Sequence, residues 1–124
     1  MSVVVSDTSP IRALDHLKLT SLLERFYGEV LIPPSVAAEL RDPDSALPML
    51  DWASIPGLCM QAPSDLAKVE ELLQVLDRGE SEAIALAMEV HAAAVLVDER
   101  EARSVAISLG LRPVGVLSML VRAK

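Results

Sequence analysis

The stretch Val3-Val4-Val5-Ser6-Asp7-Thr8-Ser9-Pro10 decides the fold. Its three valines form a short, β-branched, uninterrupted run, which is typical of a strand buried on both faces of a sheet. Ser9 and Pro10 predict that a helix follows at once, with Ser9 as its N-cap and Pro10 at its first position. Asp7 therefore lies at a junction between strand and helix.

The same alternation of strand and helix recurs along the chain. Apolar runs predict strands over residues 30–32 and 94–97, and weaker runs predict strands over residues 58–60 and 113–114. Helical spacing of apolar residues predicts helices over residues 9–17, 35–40, 47–53, 66–76, 80–92, 99–109 and 116–122, with Gly79 and Gly110 as breaks. This order predicts an α/β fold in which a parallel sheet of four to five strands has helices on both faces.

Composition narrows the class of protein further. A length of 124 residues suits one domain, and 18 acidic against 11 basic residues give a net charge of −7, which disfavours nucleic-acid binding driven by overall charge. The single cysteine, Cys59, cannot close an intrachain disulfide and fits a reducing compartment, so we expect a cytoplasmic protein. The longest apolar tract, residues 83–97, is too short to span a membrane.

Four acids follow predicted strands or lie in the helices after them: Asp7, Glu39, Glu82 and Asp98. Because crossovers in such a sheet leave the carboxyl ends of the strands, we expect all four to lie near one edge. Two carboxylates about 4 Å apart repel by about 4 kcal/mol at an effective dielectric near 20. Either some of the acids are protonated or a hard cation such as Mg²⁺ or Mn²⁺ lies among them. The second option predicts metal-dependent phosphodiester cleavage.

Each acid also has a purely structural interpretation. Asp7 could be a helix N-cap, although Ser9 and Pro10 already fill that role, and Asp98 could cap the helix that follows it. Glu39 borders the apolar face of its helix and could pair with a surface arginine. Glu82 lies near a helix N-terminus, where the helix dipole favours acids.

Four blocks carry a resemblance to a known family. They are Val3-Val4-Val5-Ser6-Asp7-Thr8-Ser9-Pro10, Ile32-Pro33-Pro34-Ser35-Val36-Ala37-Ala38-Glu39-Leu40, Gly79-Glu80-Ser81-Glu82-Ala83-Ile84-Ala85-Leu86-Ala87 and Leu96-Val97-Asp98-Glu99-Arg100-Glu101-Ala102-Arg103-Ser104-Val105-Ala106. In this order and spacing they resemble the PIN-domain ribonucleases, and within them the VapC-like toxins of prokaryotic toxin–antitoxin systems. The resemblance implies a single PIN-like domain over residues 1–124 with three layers, α/β/α.

The resemblance also implies an activity. A chain of this kind is expected to be an endoribonuclease that depends on Mg²⁺ (or Mn²⁺), acts as the toxin of a toxin–antitoxin pair, is inhibited by a small antitoxin protein and forms a homodimer. The family pattern implies that Asp7, Glu39, Glu82 and Asp98 are the metal-binding and catalytic acids, with the Thr8 or Ser9 hydroxyl nearby.

Two of these positions have rivals. Glu80 is an alternative to Glu82 as the metal-binding acid of the Gly-Glu-x-Glu block, and Glu99 is an alternative to Asp98. Arg103 matches a recurring arginine of the family. It either pairs with the site acids or contacts phosphate, or it forms a salt bridge on a helix face.

The C-terminus departs from the pattern. Relatives that share the third block usually continue past the position of Lys124, so the domain is expected to be short there. The aliphatic face of the last predicted helix (Val116, Leu117, Leu120 and Val121) then needs cover, which a homodimer would provide. A catalytically inactive PIN-fold interaction protein is the alternative function.

Overall fold

A computed structural model describes residues 3–123 and contains a five-stranded, wholly parallel sheet. Its strands are β1 (Val4–Ser6), β2 (Val30–Ile32), β3 (Leu58–Met60), β4 (Ala94–Leu96) and β5 (Pro113–Val114). They lie in the order β3-β2-β1-β4-β5. The predicted α/β class and the parallel sheet are confirmed.

Helices cover both faces of this sheet. They are α1 (Thr8–His16), α2 (Ser21–Tyr27), α3 (Pro34–Leu40), α4 (Leu66–Leu72), α5 (Arg78–Glu89), α6 (Arg100–Ser108) and α7 (Val116–Ala123), and a short 3-10 helix spans Trp52–Ser54. Within residues 3–123, no helix has both the length and the apolar character needed to cross a membrane.

Two hydrophobic layers fill the space between sheet and helices. Val4 faces a core formed with α1, α2, α3 and α7, whereas Val5 faces a second core formed with α4, α5 and α6. The same alternation places Leu96 in the first core and Val95 in the second. Since successive side chains of a strand point to opposite faces, these apolar strands are buried on both faces of the sheet. The fold therefore has the three expected layers.

The strand order creates a switch point beside β1. The chain runs from β1 outward to β2 and β3, then returns to place β4 on the other side of β1. In open α/β sheets, ligands bind at the carboxyl ends of the strands where the order reverses. The backbone N–H of Asp7 donates to the Leu96 carbonyl at 3.0 Å, so Asp7 lies at this point.

The helix predicted over residues 47–53 is wrong. Only the 3-10 turn Trp52–Ser54 forms there. Pro48 lacks a backbone N–H and disfavours helical geometry in the residue before it. The Pro48 carbonyl accepts a 2.8 Å hydrogen bond from Arg12 Nη1, and the Leu50 N–H donates to the Leu40 carbonyl at 2.8 Å. Long-range contacts therefore hold this segment as a loop against α1 and α3.

Three other local predictions also change. Helix α1 begins at Thr8 with Asp7 at the N-cap position, so Ser9 is not the cap. Gly79 lies inside the first turn of α5 and is not a break, whereas Gly110 is one, with φ of +80°. Helix α2 is not among the predicted helices.

Candidate active site

Asp7 is a buried carboxyl group at the carboxyl end of β1. It is 5% exposed, and this burial raises its pKa from 3.8 to about 7. The nearby Thr8 backbone N–H opposes the shift, while Asp77, Glu80 and Glu39 raise the pKa further by charge repulsion. The charged groups that act most strongly on Asp7 are thus all acids.

Gly79 lets three carboxylates approach the first turn of α5. A Cβ at this position would lie 3.0 Å from Asp7 Oδ1, 3.5 Å from Glu39 Oε2 and 3.6 Å from Asp77 Oδ1. The first of these distances is tighter than an ordinary van der Waals contact. Glycine therefore leaves room for this close approach of side-chain oxygens.

Two side chains of α1 hold Glu39 in place. The buried Thr8 hydroxyl donates a 3.0 Å hydrogen bond to Glu39 Oε2, and Arg12 Nη2 donates to the Glu39 carbonyl at 2.9 Å. Ser9, the other hydroxyl suggested by the family resemblance, is exposed. The backbone and the carboxylate of Glu39 are therefore both tied to α1.

Glu80 and Glu82 have different surroundings. Glu80 forms a capping box with Asp77, in which the Glu80 N–H donates to Asp77 Oδ1 at 2.8 Å and the Asp77 N–H donates to Glu80 Oε1 at 3.2 Å. Burial raises the Glu80 pKa above its usual value. Glu82 instead reaches across to α3, where its Oε1 accepts the Ser35 N–H at 3.1 Å, and its Oε2 lies 3.5 Å from Arg78 Nη1.

Asp98 is placed between β4 and the start of α7. Its Oδ1 accepts the Val116 N–H at 3.0 Å, so Asp98 caps α7, while Glu99 occupies the N-cap position of α6 without a side-chain hydrogen bond. A Cβ on Gly115 would lie 3.1 Å from Asp98 Oδ1 and 2.9 Å from Arg103 Nη1. Arg103 also donates to the Val97 carbonyl at 3.3 Å, which holds it beside Asp98.

The four predicted acids follow strands or lie in the helices after them, but within residues 3–123 the structure does not bring all four together. Asp7 and Glu39 converge at Gly79. Glu82 and Asp98 each use one carboxylate oxygen to accept a backbone N–H at the start of another helix.

Asp77 joins Asp7 and Glu39, although it is not among the predicted site residues. Its spacing of three residues to Glu80 is the sequence signature of a capping box. That signature indicates a helix start and does not by itself indicate chemistry, which is why the convergence with Asp7 appears only in three dimensions.

An open groove begins at this acidic edge. It has a volume of about 630 Å³ and is lined by Ser35, Ala38, Glu39, Arg41, Asp42, Pro43, Asp77, Arg78 and Gly79. Arg41 is held by Asp51 at 2.7 Å and lies over the Trp52 ring at 5.0 Å, while the Arg78 side chain is largely exposed. Acids and arginines therefore share one groove.

The donor set suits a hard divalent cation. The buried Asp7 and the exposed Glu39 both direct a carboxylate oxygen towards Gly79, and Mg²⁺ is commonly bound by one or two carboxylates while it keeps several waters. Within residues 3–123, no three side chains of His, Cys, Asp or Glu are grouped closely enough to hold an ion by themselves. Water and substrate oxygens would supply the remaining ligands.

The parallel sheet and the acids at the carboxyl ends of its strands are typical of α/β domains that bind ligands at this position. A family model, DUF3368, described as a PIN domain, matches residues 3–124, and the chain therefore belongs to the PIN-domain family. The comparison with curated proteins gives no match. PIN domains are generally nucleases that use divalent metal ions, so the chain has a nuclease fold with nucleic acid as its general class of substrate.

Proposed function

We propose that this chain is an endoribonuclease that depends on Mg²⁺ or Mn²⁺ and hydrolyses RNA phosphodiester bonds. The observation that carries the proposal is Asp7, a buried carboxyl group whose pKa is raised to about 7 among neighbouring acids. Burial and repulsion both penalise its ionised form, and a bound divalent cation would remove that penalty.

The proposed metal-binding and catalytic residues are Asp7, Glu39, Glu82 and Asp98. Asp7 and Glu39 supply the converging oxygens, and Glu82 and Asp98 would each add the one oxygen that accepts no backbone N–H. A cation held there would neutralise charge on a phosphate and orient a water molecule. Thr8 and Arg12 keep Glu39 at its position by hydrogen bonds to its carboxylate and carbonyl.

The groove beside the acids gives the nucleic acid a path. Arg78, which is largely exposed, and Arg41, which lies over the Trp52 ring, both line it. Since the whole chain carries a net charge of −7, attraction to phosphate has to come from local arginines and the bound cation. We assign the phosphates next to the cleaved bond to this groove.

The test is cleavage of a single-stranded RNA by wild type, Asp7→Asn and Asp15→Asn with Mg²⁺ or Mn²⁺. Asp15 is an exposed residue of α1, so it is a control with the same chemical change. Asp7→Asn should lose more than the 10- to 100-fold that loss of a supporting partner typically costs. Asp15→Asn should cleave as wild type does, and DNA of the same sequence should resist. Equal rates for wild type and Asp7→Asn would overturn the assignment.

The four sequence blocks support a proposal about the role of the chain in the cell. We propose that it is the toxin of a toxin–antitoxin pair, acts on RNA in the cytoplasm and is inhibited by a small antitoxin protein. Expression of wild type in a bacterial host should then arrest growth, and expression of Asp7→Asn should not. Growth arrest by both proteins would contradict a toxin role based on cleavage.

A homodimer is also proposed. Leu117 and Val121 lie one turn apart on α7 and are 75% and 65% exposed, whereas Val116 and Met119 are buried. Exposed aliphatic side chains on one helix face favour self-association. Light scattering should give twice the chain mass for wild type and the monomer mass for Leu117→Glu; a monomeric wild type would contradict the proposal.

A second candidate function has its own support. Glu82 and Asp98 both serve as caps for other helices, which is the arrangement expected if the acids have only structural roles. The chain would then be a catalytically inactive interaction protein with a PIN fold. Absence of RNA cleavage, together with a melting temperature that Mn²⁺ does not change, would favour this function.

A further inference from the structure

A second cleft lies at the opposite edge of the sheet from the acids. Two cavities of about 260 and 250 Å³ adjoin at the amino ends of β1 and β4. Both are lined by Tyr27, Ala94, Arg112 and Arg122. Strands β1 and β4 are each three residues long and run from this cleft to the acidic edge. The cleft and the acids therefore lie at opposite ends of the same strands.

The cleft is positively charged in a chain that is acidic overall. Its lining includes Arg112 and Arg122 and no acidic residue. The ion pairs found within residues 3–123 use other cations and leave both arginines out. Two guanidinium groups that face one cavity repel each other unless an anion lies between them.

Aromatic rings fix the position of Arg122. Its guanidinium carbon lies 4.4 Å from the centroid of the Phe26 ring and 5.9 Å from that of Tyr27. A guanidinium stacked in this way keeps the N–H groups at its edge available for hydrogen bonds. Part of the ordering cost of anion binding is therefore already met in the free protein.

We propose that this cleft binds a phosphate group carried by a nucleotide or by a nucleic-acid strand. Paired guanidinium groups match phosphate geometry, because each offers a planar fork of N–H donors to two oxygens. The two adjoining cavities provide room for a phosphate with its attached sugar. This binding site does not depend on the acids, so it stands whether or not the chain cleaves RNA.

The test is binding of a fluorescent single-stranded RNA in the presence of a chelator, measured by anisotropy. Arg112→Gln removes one cation of the cleft, and Arg112 takes part in none of the ion pairs found within residues 3–123. Arg25→Gln is the matched control, because Arg25 also lies near Phe26, at 5.8 Å, and lines neither cavity. Circular dichroism establishes that the variants are folded.

Arg112→Gln should weaken binding about 5-fold and reduce the slope of log affinity against log salt by about 0.7, whereas Arg25→Gln should change the affinity less than about 2-fold. Arg122→Lys keeps the charge but loses the fork, and it should also weaken binding. Asp15→Asn, at an exposed position that lines neither cavity, should bind as wild type does.

Competition identifies the source of the phosphate. Displacement of the RNA by adenosine monophosphate or inorganic phosphate would support a small phosphorylated ligand, and resistance to both would support a strand. Equal affinities for Arg112→Gln and Arg25→Gln, or no measurable binding by wild type to any of the three probes, would overturn the proposal.

Discussion

Thr8 joins two helices through a single hydrogen bond to Glu39. Its hydroxyl donates to Glu39 Oε2 at 3.0 Å, across 31 positions of sequence, and connects the first turn of α1 to the last turn of α3. Thr8 is buried, and Asp7 precedes it directly in the chain. Asp7 and the residue that orients Glu39 are thus neighbours in the chain.

Loss of this hydroxyl should weaken the proposed site. Thr8→Val keeps the shape of the side chain and removes the donor, so Glu39 would lose its orientation. We expect cleavage to fall about 10-fold or more, in the range typical of partners that orient metal ligands. Thr8→Ser, which retains the donor, should stay near the wild-type rate. Similar activities for Thr8→Val and Thr8→Ser would show that the hydrogen bond has no role in the site.

Stability in the absence of metal should fall as pH rises. Asp7 has a pKa of about 7 in the folded protein and 3.8 as its model value, so the folded state holds the proton more tightly. The stabilisation that this proton contributes to the free energy of unfolding is fully present below about pH 4 and is lost as pH rises towards 7. Asp7→Asn removes this dependence and should be more stable than wild type at pH 8 in chelator, on the order of 2 to 4 kcal/mol.

Urea unfolding of both proteins at pH 4 and pH 8 measures this difference. The gap between variant and wild type should be small at pH 4 and large at pH 8. A gap that is the same at both pH values would contradict the buried, metal-free carboxyl group described for Asp7.

Gly79→Ala should separate activity from stability. The added Cβ would lie 3.0 Å from Asp7 Oδ1 and must displace it or Glu39 by a few tenths of an ångström. Alanine is also favoured over glycine in a helix by about 1 kcal/mol, which offsets the crowding. We expect a melting temperature close to that of wild type and cleavage reduced about 10-fold. Ser104→Ala, at an exposed position of α6, controls for a surface alanine.

Glu80 and Glu82 can be distinguished by the same substitution. Glutamine is compatible with the N3 position of a capping box, so Glu80→Gln should keep both stability and cleavage near wild type. Glu82→Gln can still accept the Ser35 N–H but loses the charge assigned to metal binding. It should therefore remain folded and lose at least about 10-fold in cleavage. If Glu80→Gln lost cleavage and Glu82→Gln kept it, the metal-binding role proposed for Glu82 would belong to Glu80.

The fold was predictable where local pattern and tertiary packing agree. The strand Val30–Ile32 has the predicted bounds because burial on both faces leaves an uninterrupted apolar run. Helix α2 was missed because its two fully buried residues, Leu22 and Leu23, are adjacent and show no helical spacing. The loop around Pro48 depends on Arg12, a contact that no local pattern contains.

The site was predictable only at the level of the sheet edge. The rule for parallel strands placed Asp7 and Asp98 at the carboxyl ends of β1 and β4. It could not show that Asp98 accepts the Val116 N–H or that Glu82 accepts the Ser35 N–H, since these partners are 18 and 47 positions away. Side-chain hydrogen bonds over such separations are set by helix packing.

Anomalous diffraction from crystals soaked in Mn²⁺ tests the central claim most directly. We expect a Mn²⁺ peak at the carboxyl edge, with oxygens of Asp7 and Glu39 at about 2.1 Å, and no peak there in Asp7→Asn crystals. A wild-type crystal that shows no Mn²⁺ peak at Asp7 after the same soak would contradict the proposed metal-dependent nuclease.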